Sequence, residues 1–389
     1  MQYFEKADSV PPPVAAARTA KQDNESATAH CALSVKSDPQ AGVARRPNLC
    51  ELSLRTPRGG FKSRRPYDFR VIDDPNTGKP ARTIVHLNVN GHWAPFPDHR
   101  VYSGTAWHYT DAAAALSIVR DGEMWASSSL MMNDTGELDY AIDRIRSVFD
   151  EWVGQGHPGA HVALASAMNS FEDELHANPP FIVSASRSNR LLNQWANYGV
   201  ASGFAIGFDA KVPLVPKQAE VNLPDTGPGD WRPFVHGWRE VLYDPTEQAS
   251  HIRTVLDAMV SPDGVVARTV EAGTSRSRVI TMTNLALLAT TLKDPAFSAE
   301  QEVRYTIQLA DGMKPDFRAT ARGIVPFLRL VGTKMDDGTA YLGAPLPVIS
   351  VTVGPPLASE KRRTASMISL RDVTGHTFSV NSAGIPYLP

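Results

Sequence analysis

The sequence predicts an α+β protein with a mixed or mostly antiparallel sheet and helices packed on it. Helical patterns dominate the first part of the main domain, and short apolar strands bounded by turn residues become frequent after Pro180. Helices and strands do not alternate regularly, which disfavours a doubly wound parallel sheet. We find no repeat of about 20 to 50 residues and no sustained heptad, which excludes solenoids and coiled coils.

The composition indicates a folded protein without a strong preference for a charged partner. The length of 389 residues is that of one large or two ordinary domains. Hydrophobic residues make up 42% of the chain, which is enough to fill a core. The net charge of -2 gives no overall field that would attract nucleic acid or an acidic membrane. The only cysteines are Cys31 and Cys50, so neither a disulfide framework nor a Cys-rich metal site is expected.

The sequence also lacks the signals of membrane insertion and export. No segment reaches the roughly 18 to 20 consecutive apolar residues that cross a bilayer. Glu5 and Asp8 lie where a signal peptide would need a continuous apolar stretch. We therefore expect a soluble, cytoplasmic protein with no membrane partner.

Three segments are predicted along the chain. Residues 1–66 are rich in Ala, Pro, Ser and Arg and lack an apolar period, which predicts a flexible tail. This tail carries 11 basic and 6 acidic residues; a solvated linker is the simpler interpretation, and contact with RNA or DNA is the alternative. Residues 67–100 predict a small β-hairpin about a turn of Pro, Asn and Gly, and residues 101–389 form the main α+β domain.

The main domain begins with three predicted helices. Thr110 or Asp111 caps the first helix, which Gly122 ends. Asp134 and Glu137 resemble a capping box at the start of the second. The apolar stripe of the second helix consists of Leu138, Ile142, Ile145, Phe149 and Trp152. The third helix is predicted by the spacing of Leu164, Met168, Phe171 and Leu175.

The later elements are mostly strands. Two further helices are predicted over residues 246–260 and 278–292, and an irregular insertion over residues 211–236. The predicted strands are FIVSAS (181–186), GFAIGF (203–208), EVLY (240–243), VRYTIQL (303–309), IVPFLRLV (324–331) and PVISVTV (347–353).

Common strong catalytic motifs are absent from the sequence. It has no Gly-x-x-x-x-Gly-Lys-Ser/Thr phosphate loop, no Gly-x-Ser-x-Gly elbow, no His-Glu-x-x-His and no Cys-x-x-Cys. His157 and His161 are four residues apart, which on a helix would place two imidazoles on one face as zinc requires. Pro158 and Gly159 lie between them and disfavour a helix, so we interpret the pair as loop residues.

Polar residues gather instead at the ends of predicted elements. His108, Tyr109 and Thr110 precede the first helix, whose free N–H groups would favour a phosphate; alternatively, Thr110 is a cap and His108 an ordinary half-buried histidine. Trp195 and Tyr198 precede a glycine-flanked strand, and their rings would either stack on a flat ligand or pack in the core. The segment 131–134, with Glu137, has capping and binding as equal alternatives.

The segment Phe297–Ile307 is the most informative. The strand period of two puts Glu300, Glu302 and Arg304 on one face. The opposite face carries Val303, Tyr305 and Ile307. Two carboxylates and a guanidinium therefore converge at a strand start. The alternative is an ion pair between Glu302 and Arg304 on an edge strand.

Taken in order, these clusters resemble the bacterial domain-of-unknown-function family 2971. The resemblance covers about residues 101–388. The matching residues are His108-Tyr109-Thr110, Gly122, Met132-Asn133-Asp134, Glu137, Ser184, Ser186, Gln194-Trp195, Tyr198-Gly199, Gly203, Ala205-Ile206-Gly207-Phe208, Phe297, Glu300, Glu302, Arg304, Gly354-Pro355 and Ile385-Pro386-Tyr387.

The layout of a first-strand His and a late Glu-x-Glu strand is also similar to ADP-ribosyltransferase-like domains, including toxins that modify DNA or RNA. This resemblance implies an ADP-ribosyltransferase-like fold. It also implies that NAD is the substrate and that no metal is needed. It implies that His108 contacts the ribose beside Tyr109 and Thr110, that Glu302 is the catalytic carboxylate, and that Glu300 contacts the acceptor. Ser184-Ala185-Ser186 would substitute for the Ser-Thr-Ser strand of such domains. The remaining candidate cofactor-binding residues are Trp195, Tyr198 and Arg304.

Two functions from different classes follow. The first is an NAD+-dependent ADP-ribosyltransferase or NAD+ glycohydrolase, of the kind found in a bacterial toxin or phage-defence effector, with nucleic acid or protein as acceptor. Glu302 and His108 would be essential to it. The second is a non-catalytic regulatory module that binds a nucleotide or nucleic acid in the same cleft. A third interpretation assigns the polar residues to capping and pairing within a structural domain.

Overall fold

The computed structural model describes most of the chain from residue 99 onward and three short strands before it. The described residues are 69–71, 85–89, 92–95, 99–132, 136–198, 203–217, 234–273, 277–309, 314–320, 323–336, 339–355 and 357–385. The predicted tail, residues 1–66, lies outside them, as does most of the predicted insertion, residues 218–233.

The α+β prediction is confirmed, and two sheets are present among the described residues. The smaller contains the strands β1 (Phe69–Val71), β2 (Val85–Val89) and β3 (His92–Pro95). β1 and β2 pair antiparallel, as the predicted hairpin requires, and β3 adds a third antiparallel strand.

The larger sheet is almost entirely antiparallel. Within the described residues, the exception is the parallel pair β14 and β15. Its strands are β4 (Thr105–Thr110), β5 (Met124–Ser128), β6 (Phe181–Ser186), β7 (Phe204–Asp209), β8 (Leu214–Pro216), β9 (Phe234–Glu240), β10 (Glu302–Gln308), β11 (Asp316–Thr320), β12 (Gly323–Asp336), β13 (Thr339–Ala344), β14 (Val348–Val353) and β15 (Ser379–Ser382).

This sheet divides into two branches at β6. One edge of β6 pairs with β10 along its whole length, and β10 pairs on its far side with β9. On the other edge, β5 pairs with the residues at the start of β6, Phe181 and Ile182, whereas β4 pairs at its end, Ser186. One branch continues through β7, β14 and β15, and the other through β12 with β8, β11 and β13.

The inner faces of the two branches share one apolar core. Ala106 and Ile206 come from the first branch, and Met124 and Leu328 come from the second. Alternation along a strand places every second side chain in this core. Val303, Tyr305 and Ile307 of β10 belong to it, as their spacing predicts.

Helices cover the open faces of the sheet. They are α1 (Ala112–Asp121), α2 (Glu137–Glu151), α3 (Pro158–Asn169), α4 (Phe171–Ala177), α5 (Leu192–Tyr198), α6 (Pro245–Val260), α7 (Val265–Glu271), α8 (Ser277–Thr290) and α9 (Leu357–Thr374). Short 3-10 helices occupy Ser129–Met131 and Pro295–Glu300. A second apolar core lies among α2, α3, α4, α6, α7 and α8.

Local sequence signals explain where several helices begin and end. Asp111 caps α1 by accepting a hydrogen bond from Ala114 N at 2.8 Å, and Gly122 ends this helix with a left-handed φ of 66°. The capping box predicted at the start of α2 is wrong for Glu137, which is not at the third helical position. Gly136 is the N-cap, Glu137 is the first helical residue and is buried, and Asp134 lies outside the described residues.

Other predicted elements need correction. The loop interpretation of His157 and His161 is wrong, because Pro158 occupies the first position of α3, where its missing N–H costs nothing. His157 caps that helix, and His161 stacks on Trp152 at 5.2 Å. The third predicted helix is divided at Ser170 into α3 and α4.

The predicted strand 240–243 is displaced, because β9 ends at Glu240. Leu242 makes an isolated bridge to Leu292. Sequence patterns also missed the helices α7 and α9 and the strands β3, β8, β11, β13 and β15.

Gly354, at the end of β14, offers a direct test of the packing. A Cβ added to Gly354 would lie 2.3 Å from a ring carbon of Trp195, which is only 1% exposed. We expect Gly354→Ala to lower the free energy of unfolding by about 1 to 3 kcal/mol through overpacking. Urea denaturation of Gly354→Ala, Trp195→Phe and the double variant measures this. The double variant should lose less than the sum of the single losses, and strict additivity would contradict the proposed clash.

Candidate functional site

Five charged side chains meet at the start of β10, in what we call the buried charge cluster. Glu137 comes from α2, Lys293 follows α8, and Glu300 ends a 3-10 helix. Glu302 and Arg304 belong to β10. Three carboxylates therefore face two cations, which gives the fully ionised cluster one net negative charge.

Arg304 is the centre of this cluster. Its Nε donates to Glu302 Oε1 at 2.8 Å and its Nη2 donates to Glu302 Oε2 at 2.8 Å, so the pair is bidentate. Nη2 also pairs with Glu137, and Nη1 donates to the carbonyl oxygen of Thr290 at 3.0 Å. Every nitrogen of this buried guanidinium thus has an acceptor, as the burial of a charge requires.

Lys293 joins the remaining carboxylates. Its Nζ lies 2.6 Å from Glu300 Oε2, 3.0 Å from Glu302 Oε2 and 3.7 Å from Glu137 Oε2. The same ammonium lies 5.0 Å from the centre of the Phe297 ring. Glu300 is the most exposed of the three carboxylates, with 20% of its side chain accessible.

A left-handed residue brings Glu300 and Glu302 together. The strand period of two predicts both on one face of a strand, but β10 begins at Glu302, and Glu300 is still in the 3-10 helix. Gln301, with φ of 46°, turns the chain between them, so both side chains reach Lys293. The ion pair between Glu302 and Arg304, the alternative interpretation, is present, but its edge-strand position is wrong, because β10 pairs on both sides and the pair is buried.

Burial and charge act against each other in the cluster. Burial raises the pKa of Glu302, and Lys293 partly opposes this shift. Burial alone would lower the pKa of Lys293, but Glu302 and Glu300 outweigh it, and the pKa is raised. Burial lowers the pKa of Arg304 to about 9, which leaves the guanidinium protonated at neutral pH.

Neutral polar groups hold the cluster from the sheet side and from α6. The Tyr243 hydroxyl accepts from the backbone N–H of Glu302 at 2.9 Å, and burial raises the pKa of this phenol. The side chain of Ser184, on β6, hydrogen-bonds Glu302. Gln248 donates to the carbonyl oxygen of Lys293 at 2.8 Å, which fixes the backbone that carries the ammonium.

His108 lies next to the same strand but belongs to the other face of the sheet. Trp107 pairs with Ser186, which shares its face with Ser184 and Arg304, so the next residue, His108, faces the inner core. The imidazole Nδ1 donates to the carbonyl oxygen of Ser184 at 2.9 Å. Burial lowers the pKa of His108, so the neutral imidazole is favoured.

The other predicted cofactor-binding residues are mostly buried. Tyr109 donates to the carbonyl oxygen of Ser188 at 2.8 Å, and burial raises its pKa to about 12. Its ring packs edge-on against Trp195 with centroids 4.7 Å apart, and Thr110 is also buried. The burial of Trp195 favours the core-packing alternative for this residue, whereas Tyr198 is 40% exposed.

A small pocket opens beside the cluster between β6, α2 and α8. Its lining includes Ser129, Met132, Ile182 and Thr290, together with Glu137 and Arg304. This pocket has room for about one water molecule beside the cluster. Of the motif residues near it, Asn133 and Asp134 lie outside the described residues, as do Gly199, Pro386 and Tyr387.

Two members of the site were missed in the sequence. Lys293 ends the long apolar run of α8 seven residues before Glu300, and a lone lysine in such a run was the available signal. Tyr243 carried no signal, because its contact with Glu302 N joins distant parts of the chain. Within the described residues, no three His, Cys, Asp or Glu side chains are arranged to hold a metal ion.

Arg304→Met tests how strongly the cluster depends on the guanidinium. This variant keeps side-chain length but leaves Glu302 and Glu137 buried with insufficient positive charge. We expect the free energy of unfolding to fall by about 3 to 5 kcal/mol, measured by urea denaturation. Arg253→Met is the control, since Arg253 is half-exposed and pairs with the exposed Glu151, and it should cost less than about 1 kcal/mol. Equal losses in the two variants would contradict a central role for Arg304.

His108 should make stability depend on pH. Its pKa in the folded protein is below the ordinary value of 6.5, so the unfolded chain binds more protons in the interval below 6.5. Its contribution to stability is therefore present above pH 6.5 and is lost as the pH falls. His108→Asn, which retains a donor, should be less stable than the wild type at pH 7.5 and closer to it at pH 5 in urea denaturation. A deficit that stays constant with pH would contradict the buried neutral imidazole.

Among the described residues, no helix combines the length and the apolar character needed to span a membrane.

Residues 194–305 match the family model described as "Protein of unknown function (DUF2971)". No curated protein and no solved structure matches the chain. The matched segment runs from α5 into β10 and is narrower than the expected span of residues 101–388. It contains four members of the buried charge cluster, namely Lys293, Glu300, Glu302 and Arg304. Residues 194–305 are thus similar to the DUF2971 family of proteins of unknown function, the family that the order of the motifs predicts.

Proposed function

We propose that the protein is an NAD+-consuming enzyme, an ADP-ribosyltransferase or NAD+ glycohydrolase, with Glu302 as the catalytic carboxylate. The supporting observation is the strand order. β10, β6 and β4 are consecutive neighbours, and they carry Glu302, Ser184 with Ser186, and His108. These are the three strands to which the resemblance to ADP-ribosyltransferase-like domains assigns functional residues, although they are far apart in sequence.

The proposed reaction breaks the bond between the nicotinamide nitrogen and C1′ of its ribose. The bonding electron pair leaves with nicotinamide, which needs no proton, and positive charge develops on the ribose. Water or an acceptor oxygen or nitrogen then bonds to C1′ and loses a proton. A fixed carboxylate beside the ribose stabilises charge that appears only in the transition state.

The cluster has the charge and rigidity that this role requires. Arg304 and Lys293 orient the Glu302 carboxylate, and Lys293 opposes the rise in its pKa that burial causes. With all five groups ionised, the cluster has one net negative charge, which would attract the positive charge that develops on the ribose. Glu300 is the most exposed carboxylate of the cluster, which supports its proposed contact with the acceptor.

Two other predicted residues take modified roles in this proposal. His108 is a positioning residue, because it acts on the site through the Ser184 carbonyl rather than by touching Glu302. Tyr198 is the better candidate for stacking on nicotinamide. Both residues belong to α5, but Tyr198 is exposed whereas Trp195 is buried.

Nicotinamide release from NAD+ by the purified full chain tests the proposal. Glu302→Gln should lower kcat/KM for NAD+ cleavage by about 100- to 1000-fold, the cost of losing one electrostatic group at a developing charge. Glu300→Gln should retain hydrolysis and lose transfer to an acceptor. Glu271→Gln, on the exposed end of α7, is the control and should retain both. Unchanged release in a folded Glu302→Gln variant would refute the catalytic assignment.

A non-catalytic nucleotide-binding module is the second candidate. The observation that favours it is that Arg304 and Lys293 already engage both oxygens of Glu302. A domain that only binds would need no reactive carboxylate. NAD+ that binds to the wild type without any nicotinamide release would support this candidate against the enzyme.

A further inference from the structure

We propose that the exposed surface around Trp125 binds a nucleobase of single-stranded nucleic acid and so identifies the acceptor class. This surface, the stacking platform, consists of Trp125 on β5, Arg318 on β11 and Phe327 on β12. Its role as an acceptor site rests on the proposed function, whereas its role in binding does not.

The platform is a cluster of flat groups in which the rings of Trp125 and Phe327 are tilted by 37°. The rings of Trp125 and Phe327 have centroids 4.5 Å apart, and the Arg318 guanidinium lies 5.1 Å and 5.6 Å from their centres. Arg318 Nη2 also donates to Ser127 Oγ at 2.8 Å, which holds the guanidinium in place. Even so, 41% of Trp125 remains exposed, so a flat group can pack against the exposed part of its ring.

The charge around the platform favours an anionic strand. Among the described residues, no carboxylate lies within ion-pair distance of Arg318. The neighbouring Arg329 and Asp316 neutralise each other, with Nε and Oδ2 at 2.8 Å. One positive charge therefore remains beside an exposed aromatic ring. Aromatic stacking together with a cation is the combination that binds single strands independently of their sequence.

The platform lies on the same sheet face as the buried charge cluster. Ser127, two residues after Trp125, pairs with Ile182, and Ile182 pairs with Thr306, two residues after Arg304. Two strand spacings, roughly 10 Å, therefore separate β5 from β10. Ile182 also lines the pocket that Arg304 and Glu137 close. A nucleic-acid strand that packs on Trp125 would therefore lie on the same sheet face as the buried charge cluster.

Fluorescence anisotropy with labelled oligonucleotides tests the platform. The probes are mixed-sequence single-stranded DNA and RNA of about 12 nucleotides, within the usual site size, and the two arms distinguish which backbone is preferred. The full-length wild type should bind one or both probes, and added salt should weaken the binding. Trp125→Ala and Arg318→Ala should each raise Kd about tenfold, whereas Trp125→Phe should stay within about threefold.

Phe317→Ala is the matched control. Phe317 is an aromatic residue on the same strand as Arg318, 65% exposed, and alternation puts it on the opposite face. This variant should bind like the wild type. Circular dichroism confirms that each variant is folded. Lack of binding by the wild type, full binding by Trp125→Ala, or an equal loss in Phe317→Ala would each overturn the proposal.

The same variants separate this inference from the proposed function. Nicotinamide release without an acceptor should be unchanged in Trp125→Ala, because the platform lies outside the charge cluster. Oligonucleotide binding without any NAD+ cleavage by the wild type would refute the enzyme and leave the platform standing. Cleavage of NAD+ without oligonucleotide binding would refute the platform and leave the proposed enzyme standing.

Discussion

The candidate site depends on the compensation of one buried charge, the guanidinium of Arg304. Taking this charge out of water is costly, and it is tolerated because Glu302, Glu137 and the Thr290 carbonyl surround it. These partners belong to β10, α2 and α8, respectively, so the same contacts that neutralise the guanidinium also fix two helices against the sheet. Displacing either helix would leave a buried charge without its partners.

The division of the sheet at β6 is the second constraint. β4 and β5 approach the same edge of β6 at opposite ends. Between them the carbonyl oxygen of Ser184 accepts a hydrogen bond from His108 Nδ1. This bond gives the carbonyl a partner at a part of the strand edge that neither β4 nor β5 pairs with. This arrangement places β4, β6 and β10 side by side. It is the reason why residues from positions 108, 184 and 302 are close in space.

The motif residues divide into those that build the site and those accessible to a ligand. Trp195, Tyr109 and Gly354 pack against one another, so their motif positions follow from packing. Glu300 and Tyr198 retain exposed surface. The motifs alone therefore do not identify the residues that touch a substrate, because the same aromatic and glycine residues serve both core packing and ligand contact.

The sequence by itself determined the α+β class, the extent of α1 and the apolar face of β10, since these follow from local capping and alternation. It also brought Glu300, Glu302 and Arg304 together, although a turn at Gln301, and not strand alternation, achieves this. Only the tertiary structure decided that Glu137 is a partner of Arg304, that Lys293 completes the cluster and that His108 faces the other side of the sheet. Those outcomes depend on contacts between segments 76 to 167 residues apart, or on a turn that reverses the chain, and local patterns carry no information about either.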